Sequence, residues 1–179
     1  MSSLQAGLLP AVTLILGGAR SGKSRFAERL VEEAGSGTYC ATAEAGDAEM
    51  AARIAEHRAR RSAFWRTIEV PLDLTAAIDT HAEPDRPMLI DCLTLWLTNL
   101  LAADRIVAHE REALCGALRD VAGPVVLVAN EVGLGLVPET PLGRRFRDEA
   151  GRLNQAVAAI AGRVVFVAAG LPLMLKGSA

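Results

Sequence analysis

The sequence has little of what usually assigns a protein to a class. Of its 19 basic side chains only two are lysines, Lys23 and Lys176, and the other 17 are arginines. Against 21 acids they leave a formal charge of −2, no field for recruiting nucleic acid or an anionic membrane surface. Three cysteines (Cys40, Cys92, Cys115) are too few and too far apart for a disulfide framework or a zinc site. No run of about 18 apolar residues is free of polar breaks, which excludes an integral membrane segment. Nor does the N-terminus pair a basic region with a long apolar run, so a secretory leader is not expected. A cytoplasmic globular protein is the expectation that remains.

What is present is apolar. Residues of the AVILMFWYC set make up 51% of 179, with 4% aromatic, which suits one packed domain. Residues 1–10 read as an extension and 11–179 as the domain. The run Val12–Leu16 stopped by Gly17-Gly18 predicts a buried strand, and Lys23–Glu33 an amphipathic helix. Further strands are expected at 38–42, 64–70, 88–91, 125–129 and 164–168. Helices are expected at 47–61, 72–80, 94–101, 104–121 and 142–161, with 171–179 as a trailing tail. Apolar strands alternating with helices imply a three-layer α/β domain with a mainly parallel sheet covered on both faces.

Gly17-Gly18-Ala19-Arg20-Ser21-Gly22-Lys23-Ser24 matches G-x-x-x-x-G-K-[ST] in full. Glycines at these positions let the backbone curl until successive N–H groups face phosphate oxygens, and the helix that follows adds its positive end. Lys23 can reach the β- and γ-phosphates, and the Ser24 hydroxyl can ligate Mg²⁺. The strand 88–91 ends in Asp91, an acid placed to hold Mg²⁺ or its water shell opposite the loop. An isolated acid at a strand end would instead be a surface group; the loop is what favours a place in the site.

His57 falls on the apolar face of the expected helix 47–61, at i+7 from Met50. Periodicity alone makes such a histidine a hydrogen-bonded, partly buried residue. Arg53, Arg58, Arg60 and Arg61 surround it, however, and could clamp a triphosphate beside a nucleophilic imidazole. His81 and His109 read as solvated, as does the Arg144-Arg145-x-Arg147 run.

Beyond the loop, the chain carries Arg53-Ile54 with His57, Trp65-x-Thr67-x-Glu69, Asp91-Cys92-Leu93-Thr94 with Asn99-Leu100, and Asn130-Glu131-Val132-Gly133 with Val137-Pro138. Phe146-Arg147-Asp148, Gly151 and Asn154-Gln155 complete the series. This ordered set resembles the bifunctional adenosylcobinamide kinase/adenosylcobinamide-phosphate guanylyltransferases of cobalamin biosynthesis, from Leu14 to Lys176. The resemblance implies a P-loop NTPase fold with a RecA-like sheet and a homotrimer. It implies phosphorylation of the aminopropanol hydroxyl of adenosylcobinamide with ATP or GTP, then GMP transfer from GTP onto that phosphate. It puts the guanylylated histidine on His57. Nucleotide contacts fall on the loop (Gly17, Gly18, Ala19, Arg20, Ser21, Gly22, Lys23, Ser24), Ala41, Thr42, Ala43, Arg58, Ala59, Arg60, Arg61, Glu69 and Asp91. Two other functions share the loop: a single-step small-molecule kinase, which makes no histidine adduct, and a nucleotide-binding module without catalysis.

Overall fold

A computed structural model describes residues 9–43 and 64–178 of the chain. His57, Arg53, Arg58, Ala59, Arg60, Arg61 and the expected helix 47–61 lie outside the described residues.

The apolar runs form the strands expected of them. β1 is Val12–Gly17, β2 Gly37–Ala41, β3 Trp65–Glu69, β4 Met88–Asp91, β5 Val125–Asn130 and β6 Arg163–Ala168. Between them run α1 Lys23–Glu32, α2 Leu74–His81, α3 Leu93–Ala102, α4 Val107–Arg119 and α5 Pro141–Ile160. A seventh strand, β7 (Leu171–Lys176), pairs antiparallel with β6, so the stretch expected to trail away closes the sheet. The sheet order is β3-β2-β4-β5-β1-β6-β7, and all pairs but the last are parallel.

Strands buried on both sides need two apolar layers, and both exist. Leu14, Leu16, Ile90 and Leu127 meet Leu74, Trp96, Leu97, Leu114, Leu153 and Val157 from α2–α5. Ile15, Leu89, Val126, Val128, Val165 and Val167 face Phe26, Ala27 and Val31 of α1. Each such side chain, fully buried, contributes about 1.5–3 kcal/mol. Trp96 is buried without leaving its indole unpaired, because Nε1 donates to the Leu72 carbonyl at 2.6 Å. Leu9, near the end of the expected extension, already packs against the core on the α1 side.

The helix expected over 104–121 begins later, at Val107. The preceding residues are used to finish α3. Asp104 takes φ +51°, and the N–H groups of Ala103, Asp104 and Arg105 donate to Asn99, Leu101 and Leu100 carbonyls.

Candidate active site

Parallel strands bring their carboxyl ends to one edge, and the described residues among those singled out from the sequence collect there. β1 ends in Gly17 and runs into the loop that starts α1 at Lys23. Gly17 has no alternative: a Cβ there would lie 2.5 Å from the Val167 carbonyl oxygen and 2.6 Å from Ser21 Oγ. Gly22 adopts φ +93°, the left-handed conformation that favours glycine, and its carbonyl accepts the Phe26 N–H at 2.9 Å. Arg20 shares the left-handed region at φ +57° and is exposed, as is Ala19.

Lys23 is only 9% exposed, and its Nζ donates to the Gly18 carbonyl at 3.1 Å, folding the ammonium back over the loop. Burial lowers its pKa, while the nearby Cys92 and Asp91 pull it back up. Ser24, one residue on, donates its hydroxyl to Asp91 Oδ1 at 3.3 Å. The other carboxylate oxygen, Oδ2, accepts the Tyr39 hydroxyl at 2.6 Å. Loop, helix and the β4 tip are thereby joined through one carboxylate, and Tyr39 is the member of that network the sequence reading did not pick out.

A second set of bonds locks the neighbouring strand end. Thr42 is fully buried; its hydroxyl donates to the Cys92 carbonyl and accepts the Cys92 N–H, both at 2.8 Å. Asn99 donates from Nδ2 to the carbonyls of Thr42 (2.8 Å) and Pro71 (2.9 Å), tying the ends of β2 and β3 together. Ala41 pairs with Asp91 on one side and with Glu69 on the other. Burial pushes the pKa of the Cys92 thiol up to about 11.

The described residues thus join a phosphate loop, a buried lysine and a hydroxyl–carboxylate pair at one edge. Against known families, the model for cobinamide kinase/cobinamide phosphate guanyltransferase matches residues 13–175. The chain belongs to this family. It is 59% identical to the bifunctional adenosylcobalamin biosynthesis protein CobP of Pseudomonas aeruginosa over 92% of this chain and 96% of that protein. It is 43% identical to the bifunctional adenosylcobalamin biosynthesis protein CobU of Salmonella typhimurium, over 91% and 98%. Among solved structures, the flagellar accessory protein FlaH of Methanocaldococcus jannaschii superposes with TM-score 0.52 at 14% identity, covering 96% of this chain and 81% of that one. The latter likeness concerns the fold alone, a P-loop NTPase fold with a mainly parallel sheet. Cobinamide kinase family membership makes the chain an enzyme of two activities, a kinase and a guanylyltransferase of cobalamin biosynthesis that uses nucleotide substrates.

Among the described residues no helix is long and apolar enough to cross a membrane, and no group of three His, Cys, Asp or Glu gathers to hold a metal. The arginine run divides: Arg144 donates to the Pro138 and Glu139 carbonyls, Arg147 to Asp148, and Arg145 is exposed.

Proposed function

We propose that both reactions of this chain use a nucleotide bound at Gly17–Ser24, within one catalytic domain spanning 11–179. In the first, the γ-phosphoryl group of ATP or GTP passes to the aminopropanol hydroxyl of adenosylcobinamide. In the second, His57 attacks the α-phosphorus of GTP, pyrophosphate leaves, and the GMP held on imidazole nitrogen passes to adenosylcobinamide phosphate. The observation that carries this reading is the loop's union with β4: Lys23 over the loop, and Ser24 within hydrogen-bond reach of Asp91.

Phosphoryl transfer asks for charge neutralisation and positioning more than covalent help. Lys23 is held for that purpose. Incoming phosphates replace the Gly18 carbonyl as its partner and favour its charged form against the burial that opposes it. A hydroxyl and a carboxylate 3.3 Å apart suit a hard cation, and Mg²⁺ is bound through one or two such groups plus phosphates rather than by a cage. Ser24 and Asp91 would hold it, and when bound it neutralises charge on the β- and γ-phosphates. Ala41, Ala43 and Glu69 contact nucleotide from the adjoining strand ends. Thr42 is fully buried, with its hydroxyl engaged by Cys92, its N–H by the Asp91 carbonyl and its carbonyl by Asn99, so its part is to fix the strand end on which Ala41 and Ala43 stand.

GMP transfer breaks a different bond, between the α- and β-phosphates. Dividing it over a histidine adduct gives two displacements, with Arg58, Arg60 and Arg61 supporting the departing pyrophosphate. The homotrimer implied by the resemblance is part of the same proposal, as is action in the cytoplasm.

Two variants test it. His57→Ala should abolish the mass increase of one GMP after incubation with GTP, in a protein that remains folded and still phosphorylates cobinamide. A full adduct on that variant would remove His57 from the mechanism. Lys23→Ala should lose nucleotide-dependent turnover in both steps, and normal kinase turnover would place the phosphate site elsewhere. Absence of any GMP adduct on the unaltered protein would favour a single-step kinase.

A further inference from the structure

β5 lies between β4, which ends in Asp91, and β1, which ends in Gly17. Its last residue is Asn130. Register sets Asn130 against Gly17 and sets Val128, two residues earlier, against Asp91. Side chains two apart on a strand share a face. Asn130 therefore stands on the side of Val126 and Val128, which face α1.

The main chain here is pinned. The Asn130 N–H donates to Thr94 Oγ1 at 2.7 Å, its carbonyl accepts Asn154 Nδ2 at 3.4 Å, and the Glu131 N–H donates to the Gly17 carbonyl at 3.0 Å. The side chain is a different matter. Its Oδ1 is buried and has no hydrogen-bond partner among the described residues. Buried polar atoms in folded proteins are nearly always paired, so this one calls for a donor beyond the described residues.

The chemistry of the atom narrows what that donor is. An amide oxygen only accepts, and so do the oxygens of an ionised phosphate, so Oδ1 does not bind the triphosphate. Ser21 Oγ, also buried without a partner, has an O–H to give and suits a phosphate oxygen. Oδ1 needs the reverse, an O–H or N–H.

The geometry points to Asn130 as the residue that receives and aims the substrate alcohol in the kinase step. This rests on Gly17–Ser24 being the nucleotide site. The alcohol donates its O–H to Oδ1, which leaves an oxygen lone pair free for the γ-phosphorus. A bond forms from that oxygen to phosphorus, the bond from phosphorus to the β,γ-bridging oxygen breaks, and the nucleoside diphosphate leaves with the electron pair. Asn130 does not take the proton, which passes to an oxygen of the transferred phosphoryl group and on to solvent. In GMP transfer the attacking atoms are an imidazole nitrogen and a phosphate oxygen, neither bearing an O–H, so Asn130 acts in one step only.

Asn130→Ala removes the whole carboxamide, Oδ1 with Nδ2, and keeps every main-chain bond named above. Phosphoryl transfer to cobinamide should fall about 100-fold, the usual penalty for a misplaced reacting group. Nucleotide Kd by calorimetry and GMP incorporation from GTP by intact mass should stay within about twofold of the unaltered protein. Equal losses in both steps, or undiminished phosphoryl transfer, overturn the assignment. So does a raised Mg²⁺ requirement for nucleotide binding, which would give Oδ1 to a metal-bound water. Lys23→Ala run in parallel separates the two readings: unimpaired nucleotide binding there sinks the nucleotide site itself. Asn130→Asp keeps shape and acceptor if the alanine variant does not fold. Its kcat should stay within about tenfold while the nucleotide KM rises from the added charge, and a collapse of kcat counts against the proposal.

Discussion

Tyr39 is fully enclosed, on the strand next to β4, with its hydroxyl 2.6 Å from Asp91 Oδ2 and its ring edge-on to Trp65. It holds one oxygen of the carboxylate and so leaves Oδ1 to face Ser24. Tyr39→Phe keeps the ring and deletes that donor. Bonds to charged groups are worth about 1.5–3 kcal/mol, so the variant should lose on the order of 2 kcal/mol in urea denaturation while retaining its fold. A midpoint unchanged within error would mean that Asp91 is held by other groups.

The same carboxylate shows what a sequence can and cannot disclose. The loop Gly17–Ser24 is legible because its motif is eight contiguous residues between a strand and a helix. Asp91 is legible as a strand tip once the loop is known. Tyr39 with Asp91, Asn99 with Thr42 and Pro71, and Asn130 beside Gly17 are separated by tens of residues along the chain. Nothing in their local spacing announces the pairing. The two lysines divide in a similar way. Lys23 is marked by its motif, whereas Lys176 reveals only in three dimensions that Nζ caps the end of α5, donating to the carbonyls of Ala158 and Ala159.

Among elements, the β6–β7 hairpin was the least legible. Leu171–Lys176 is apolar at nearly every position and includes Pro172, so it shows neither alternation nor an unbroken strand pattern. Its turn, Ala169-Gly170, also lacks the Asn-Gly or Asp-Gly signal. Yet both residues have positive φ, +51° and +78°, as a two-residue hairpin turn of type I′ requires. Pro172 is tolerated because β7 is an edge strand. The turn also braces the phosphate loop: the Gly170 N–H donates to the Ser21 carbonyl at 2.8 Å, and a Cβ on Gly22 would lie 3.2 Å from the Gly170 Cα. Ala169 holds a conformation that glycine adopts without a Cβ clash. Ala169→Gly should therefore stabilise the protein by about 0.5–1 kcal/mol, the relief of strain exceeding the added chain entropy. A lower urea midpoint would show that the methyl group packs to greater effect than its backbone strain.

For the whole molecule, sheet order decides which edge gathers the candidate site and which strand lies outermost. The carboxyl edge of β2, β4, β5 and β1 carries the candidate site, and the sheet ends at β7, whose outer side has no strand partner among the described residues. Leu171, Leu173 and Leu175 are 72%, 60% and 56% exposed and alternate along that strand, so they share one face. Leucines grouped on an open sheet edge are a liability in a lone chain and suit a contact between copies. This supports the proposed homotrimer and points to β7 as part of the contact between copies. Leu173, in the middle of the row and paired with Phe166, is the residue to change. Light scattering on the unaltered protein should give the mass of three chains. Leu173→Glu should move it to one chain at micromolar concentration, since a carboxylate would have to be desolvated against apolar surface. The folded fraction should not change, because the side chain is solvent-facing within the single chain. A trimer that tolerates Leu173→Glu would remove β7 from the interface, and a unaltered chain of single mass would remove the trimer.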